Sequence, residues 1–235
     1  MNGASDAVQE VLGEIAAIHE RKPYFRHPVW AELVAGALSR EQVRVLIRQN
    51  GIIPLHNHNY HGRLYVACPD PAWRVMIAEV VYEEGTGRLY AGGRAHWKLY
   101  CQLGEALGIR AEEMWRTEYC AGALAFKAFM SEICGRSFLE GVSAHMLAGE
   151  APVPVEGMSR AEALRKHYGL DDQALEFFAV HQEADDDHAS VGVNLLAEFA
   201  PTEADRRLVV RTVEDTLDMF LFMYDDIHEQ VKKAA

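Results

Sequence analysis

In the run ALEFFAVHQEADDDHASVGVNLLAEF, His181, Asp185 and His188 stand in a His-x3-Asp-x2-His spacing. At about 100° per residue in an α-helix these positions fall within about 60° of one another, so two imidazoles and a carboxylate leave one face together. That donor set suits iron, manganese or zinc, and helices facing each other with Glu and His are how two-metal carboxylate centres are assembled in bundles. Such a centre calls for about six protein ligands, with positions left open for oxygen or substrate. The further candidates are Glu79, Glu83 and Glu84 ahead of a glycine-rich break, His96 after it, and Glu150 at the end of a long apolar stretch. The structural reading of the same residues is a solvated acidic face that holds two histidines, a hydrogen-bonded core histidine at 96 and a solvated helix end at 150.

These groups must be carried by helices, because helical periodicity runs through the chain and strand alternation is absent. Val8, Leu12, Ile15 and Ile18 mark a first amphipathic helix, and Pro28 opens a second through Trp30, Leu33 and Leu38. Ser39 and Gln42 have the capping-box spacing for a third, which turns Val43, Leu46 and Ile47 to the core; Pro54 interrupts it. The CPDP run at 68–71 is a turn before a fourth helix, Trp73 to Glu84. Gly85, Gly87, Gly92 and Gly93 then break the pattern, and a fifth helix follows from about Ala95 to Leu107. With four glycines this break has little helical preference, so its ordering is expected to draw on metal coordination by the flanking residues. Met114 to Leu147 holds one or two buried helices with Gly135 as a seam. Ser159 and Glu162 form another capping box, Asp171 or Asp172 caps the helix of the 181–188 face, and Pro201-Thr202 starts a last helix to about Val231. The expectation is one all-α domain over residues 1–235, a helical bundle of seven to nine helices.

Composition narrows the partners. The chain has 235 residues, 49% hydrophobic and 25% charged, enough to bury a full core, and its net charge of -12 argues against nucleic acid and anionic membrane surfaces. A small-molecule partner is expected. Cys68, Cys101, Cys120 and Cys134 lie far apart with no Cys-x-x-Cys, which fits free thiols in a reducing cytoplasm. The N-terminus lacks a basic and an apolar leader region, and no segment reaches 18 uninterrupted apolar residues, so a soluble cytoplasmic protein is expected.

Six sequence blocks taken together carry a resemblance: HPVW at 27–30 with GALS at 36–39, YEEG at 82–85, His96 with ALG at 106–108, Glu150 with Pro154, LRKHYG at 164–169, and the 181–188 face. The set resembles the haem-oxygenase-like di-iron oxidases, relatives of the TenA thiaminases and of pyrroloquinoline quinone synthase, over residues 24 to 225. The nearest pattern is that of the p-aminobenzoate-forming branch. The resemblance implies a haem-oxygenase-like bundle without haem and two Fe(II) ions, with Glu83, His96 and His181 on one and Glu150, Asp185 and His188 on the other. Dioxygen would be the co-substrate for oxidative decarboxylation, C–C cleavage or N-oxygenation of a small amino-acid-like or carboxylic-acid metabolite, in natural-product or cofactor biosynthesis. A homodimer is implied as well.

The chain departs from that branch in two places. The gap from Glu83 to His96 is longer, which leaves Glu84 as an alternative to Glu83. The family's sacrificed lysine falls at Arg160 and its tyrosine partner near Val29 or Trp30, which argues against a self-sacrificing activity. His56, His58, Tyr60 and His61 align with the substrate pocket of the family, and Arg63, Arg88 and Arg94 are candidate clamps for a substrate carboxylate. The rival readings are a metal-free hydrolase using Cys134 and Glu214, a cofactor-independent oxidase, and a non-catalytic ligand-binding module on the same scaffold.

Overall fold

In the computed structural model of the protein, residues 6–149, 158–183 and 188–234 are described, the side chains of 182–191 excepted. Thirteen α-helices occur among them: α1 (Asp6–Arg21), α2 (Pro28–Val34), α3 (Arg40–Asn50), α4 (His58–Ala67), α5 (Pro71–Thr86), α6 (His96–Ala106), α7 (Ala111–Trp115), α8 (Ala121–Arg136), α9 (Phe138–Val142), α10 (Arg160–Tyr168), α11 (Glu176–Glu183), α12 (His188–Phe199) and α13 (Glu203–Lys233). No strand occurs among the described residues, so the all-α expectation holds.

The helix starts are where the chain's own hydrogen-bonding chemistry puts them. Ser39, Ser159 and Thr202 each accept from the backbone N–H three residues on, and Gln42, Glu162 and Asp205 each accept from the cap's own N–H in return. Asp70 does the same duty for α5, accepting from the Ala72 and Trp73 N–H groups at 2.8 and 3.1 Å with Pro71 at the first helical position.

The frame is α13. Val213, Leu217, Phe220, Tyr224, Ile227 and Val231 are buried along it at steps of three and four residues, an apolar stripe that packs against α8, α3 and α1. Burial of each large side chain contributes about 1.5–3 kcal/mol. At the crossing with α8, Gly122 lets the backbones approach: a Cβ there would lie 3.0 Å from the Phe222 carbonyl oxygen, and the Gly122 N–H instead donates to Asp226 Oδ2 at 2.7 Å.

The helix count exceeds the seven to nine expected, because several apolar runs are cut by caps that periodicity alone does not reveal. The Met114–Leu147 run is divided at Ser137, whose hydroxyl caps α9 by accepting from the Glu140 N–H at 3.2 Å. The seam therefore falls two residues beyond Gly135. From Ser143 to Gly149 the helix widens into a π-helical stretch that ends beside position 150, a feature found disproportionately at functional sites. No helix among the described residues is long and apolar enough to cross a membrane.

Candidate metal centre

The centre begins at the end of α5. Gly87 terminates that helix in the left-handed conformation (φ 64°), and its N–H donates to the Glu83 carbonyl at 2.6 Å. A Cβ at position 87 would overlap the Arg94 carbonyl, so only glycine fits. Glu83 and Glu84 are thereby fixed in the last turn of α5, at the negative end of the helix, where carboxylates need compensation.

The two neighbours are compensated differently. Glu83 is buried. Its Oε2 accepts from the Leu89 N–H at 2.6 Å, and its Oε1 accepts from the Ala91 N–H at 3.1 Å and faces His96 Nε2 at 3.2 Å. The glycine-rich break is thus a closed loop gripped from inside by one carboxylate, with the Gly93 N–H donating to the Gly87 carbonyl at 2.7 Å across its base. Glu84 points away from the loop. Asn57 donates to its Oε2 at 2.6 Å, while its Oε1 lies 3.1 Å from His96 Nδ1. Burial would raise the Glu84 carboxyl, but His96 outweighs it and holds the group down at about 2.

His96, the first residue of α6, stands between these two carboxylates. Burial alone would depress the imidazole, and Glu84 and Glu83 together reverse that and raise it. With Nε2–H directed at Glu83, Nδ1 is the nitrogen that offers a lone pair when the ring is neutral. That nitrogen is buried and has no aligned hydrogen-bond partner, for all its closeness to Glu84. His181, on α11, donates Nδ1–H to the Phe177 carbonyl at 2.6 Å, which leaves Nε2 as its electron-pair donor; its ring lies 4.7 Å from that of His96. One ligand atom each from Glu84, His96 and His181 falls within 4.8 Å of the other two. Two imidazoles and one carboxylate converging in this way form a donor set suited to non-haem Fe(II), and the hydrogen bonds behind them fix tautomer and orientation.

Of the other sequence-derived candidates, Tyr60 and His61 turn inward from α4. Burial pushes His61 down to about 3, so it is neutral at physiological pH; its Nε2 meets Nε2 of His145, a buried residue of the π-helical stretch. The Tyr60 ring stands edge-on to both imidazoles, at 4.7 and 5.6 Å. His56 looks elsewhere, toward Tyr119, Trp115 and, at 3.4 Å, Lys127 Nζ; burial and Lys127 lower it to about 4. His58 and Glu79 are exposed. Among the arginines, Arg63 and Arg88 are exposed, and Arg94 pairs with Glu176 on the surface. Glu150 and Asp185 lie outside the described residues, as does the His188 side chain at the start of α12.

The two residues named for a metal-free hydrolase are not brought together. Cys134 is buried against the Gly141 carbonyl, with its thiol pushed up to about 12 by burial, whereas Glu214 is a surface partner of Lys22 at 3.3 Å. Sequence pattern alone does not single out Asn57 or His145. Asn57 sits inside the HNHNYH run whose histidines draw notice, and its role depends on which glutamate it faces across 27 residues of sequence.

The sequence pattern of the iron-containing redox enzymes matches residues 44–220. The chain belongs to this family. Within the family of iron-containing redox enzymes the chain is similar to the 4-aminobenzoate synthase of Chlamydia muridarum, 25% identical over 226 residues that cover 93% of each chain. Its fold is similar to that of a protein of unknown function with a haem-oxygenase-like fold from Shewanella denitrificans, with a TM-score of 0.69, 15% identity and coverage of 95% of this chain and 91% of that one. It is also similar to a TenA homologue from Pseudomonas syringae, with a TM-score of 0.72, 12% identity and coverage of 96% and 94%. The haem-oxygenase-like architecture expected from the sequence is thus the one found.

Proposed function

We propose that this iron-containing redox enzyme is a non-haem di-iron oxygenase or oxidase, which uses dioxygen to oxidise a small amino-acid-like or carboxylic-acid metabolite in a biosynthetic pathway. The observation that carries the reading is the convergence of Glu84, His96 and His181, with a buried imidazole nitrogen that lacks any aligned hydrogen-bond partner among them. These three residues hold one iron. Glu84 takes the place that the resemblance gave to Glu83, because the oxygens of Glu83 are occupied by the Leu89 and Ala91 amides and by His96. For the second iron the proposal rests on the resemblance alone, through Glu150, Asp185 and His188. When bound, a ferrous pair supplies the electrons that activate dioxygen toward an unactivated bond.

The chain's own residues have separate tasks. Glu83 holds the Nε2 proton of His96 and so presents the Nδ1 lone pair. Asn57 anchors the outer oxygen of Glu84, and the Phe177 carbonyl sets the tautomer of His181. His61, packed with His145 under Tyr60, adds a polar group without adding charge beside a centre that already carries carboxylates.

Anaerobic loading with Fe(II) followed by metal analysis tests the reading: about two irons per chain are expected, and substrate-dependent oxygen consumption should vanish on chelation. A protein that binds no iron would overturn the reading, and one that hydrolyses thiamin derivatives without oxygen while its metal-stripped form stays active would establish the metal-free hydrolase instead.

A further inference from the structure

Arg160 opens α10 and turns its guanidinium into the interior. The residue as a whole is partly exposed. Its Cζ lies 3.9 Å from the centroid of the Trp30 ring, so the structure does bring positions 30 and 160 together. Tyr24, Tyr100 and Tyr224 lie near enough for their hydroxyls to act on its charge. One of its N–H groups, on Nη2, donates to the Phe25 carbonyl at 3.2 Å, and no carboxylate among the described residues pairs with it.

A guanidinium offers five N–H donors in a planar fork and stays charged in proteins. Enclosing it without an anion is costly, and burial here pushes its pKa down. The aromatic face of Trp30 offsets part of that cost and holds the fork flat. A chain that keeps such a cation in its interior has a use for an anion there.

The surroundings connect Arg160 to the metal centre. Tyr100 stands one helical turn along α6 from His96. Its ring contacts Phe177 at 4.9 Å, and Phe177 contacts His181 at 4.3 Å. On the other side, the Tyr24 hydroxyl donates to the Gly149 carbonyl at 2.8 Å, where the π-helical stretch ends. Through Tyr100 and Phe177 these aromatics link a fixed cation to the Glu84, His96 and His181 trio.

We propose that Arg160 is the docking group for the carboxylate of the substrate, held flat against Trp30 and reached from the same interior as the metal centre. The sequence-derived clamps Arg63, Arg88 and Arg94 give way to it, since all three are exposed. The role as a substrate anchor rests on the proposed oxidase function. The binding of a carboxylate does not, and can be tested apart from it.

The test uses the full chain, both metal-free and loaded anaerobically with Fe(II), titrated calorimetrically with acetate and benzoate and with their neutral counterparts acetamide and benzamide. Wild type is expected to bind a carboxylate in both metal states and to bind the amides at least tenfold more weakly, as loss of a charge-assisted bidentate pair entails. Arg160→Met should weaken carboxylate binding at least tenfold in both states, with Arg160→Lys between the two. Without ligand, Arg160→Met should melt no lower than wild type, because a cation with no carboxylate partner among the described residues has been removed; a purely structural arginine would lower the melting temperature instead. Equal binding of acids and amides by wild type, or undiminished carboxylate affinity in Arg160→Met, overturns the proposal. Should Arg160→Met fail to fold, the acid-against-amide comparison and Arg160→Lys still decide. A chain that binds no iron yet discriminates acid from amide through Arg160 loses the di-iron reading and keeps this one.

Discussion

Glu83 and Glu84 are adjacent and chemically identical, and the proposed centre gives them opposite tasks, which a pair of glutamine substitutions separates. In Glu83→Gln the side-chain oxygen can still accept from one or two donors, but the amide NH2 faces the Leu89 or Ala91 N–H or His96 Nε2 where a carboxylate oxygen stood. Hydrogen bonds to charged acceptors contribute about 1.5–3 kcal/mol each, and a buried donor left without a partner costs a similar amount. One lost bond is then worth about 2–3 kcal/mol. At roughly 2–4 °C per kcal/mol for a chain of this size, the metal-free melting temperature should fall by about 4–12 °C. Because Glu83 only orients His96, iron affinity at that site should weaken by about 10- to 100-fold without disappearing. Glu84→Gln keeps an oxygen for the Asn57 donor at little structural cost, so its metal-free melt should stay within about 2 °C of wild type. It should nevertheless lose one iron outright. Thermal melts of metal-free protein and anaerobic Fe(II) titrations measure both quantities on both variants. If Glu83→Gln melts like wild type and binds one iron fewer, while Glu84→Gln binds normally, then Glu83 is the ligand and Glu84 the orienting group, and the reasoning from the Leu89 and Ala91 amides fails.

Two further outcomes follow from the same geometry. Gly87→Ala demands a left-handed residue with a Cβ inside the Arg94 carbonyl. It should cost more than the ~1–2 kcal/mol of the conformation alone and weaken iron binding through displacement of Glu84 and His96; an unchanged melt with unchanged iron affinity would refute it. His61 has a folded pKa of about 3, below the roughly 6.5 of an unfolded histidine, so the unfolded state takes up a proton as pH falls through 6.5 and the folded state does not. Stability is therefore lost on acidification, by about 2 kcal/mol between pH 6.5 and 5 from this residue, and urea denaturation of His61→Leu should show a slope against pH smaller by one proton in that window. Identical slopes would show that His61 does not titrate in this way.

Where the fold was legible in the sequence, the signal was local chemistry. Ser39, Ser159 and Thr202 announce helix starts because a hydroxyl and an acid or amide three residues on satisfy each other's backbone donors. The breaks at Ser137 and around Pro54 were harder to read or to place, since apolar residues continue on both sides. The candidate site was legible at His96 and His181 by type and spacing. It was not legible at positions 83 and 84, which differ by only about 100° around the helix. The choice proposed between them rests on Asn57, Leu89 and Ala91, whose positions depend on how α4 and the glycine loop pack against α5. Arg160 was visible as a departure from a family pattern, but its lack of an acidic partner among the described residues is a property of the fold alone.

The loop gripped by Glu83 also bears on how such a site tolerates change along the chain. Its base is tied by the Gly93 and Gly87 backbones, its interior by one carboxylate, and its tip, Leu89 and Tyr90, stands in solvent. The ends that carry Glu84 and His96 are therefore set by the closure and not by how many residues lie within it. Lengthening the tip adds only slowly growing entropy, so insertions that leave the Leu89 and Ala91 amides on Glu83 are nearly neutral for the metal geometry. Sequence distance between the two proposed ligands then carries almost no information about their distance in space, and a relative with a shorter or longer tip can hold the same centre provided that some acceptor still draws the loop shut.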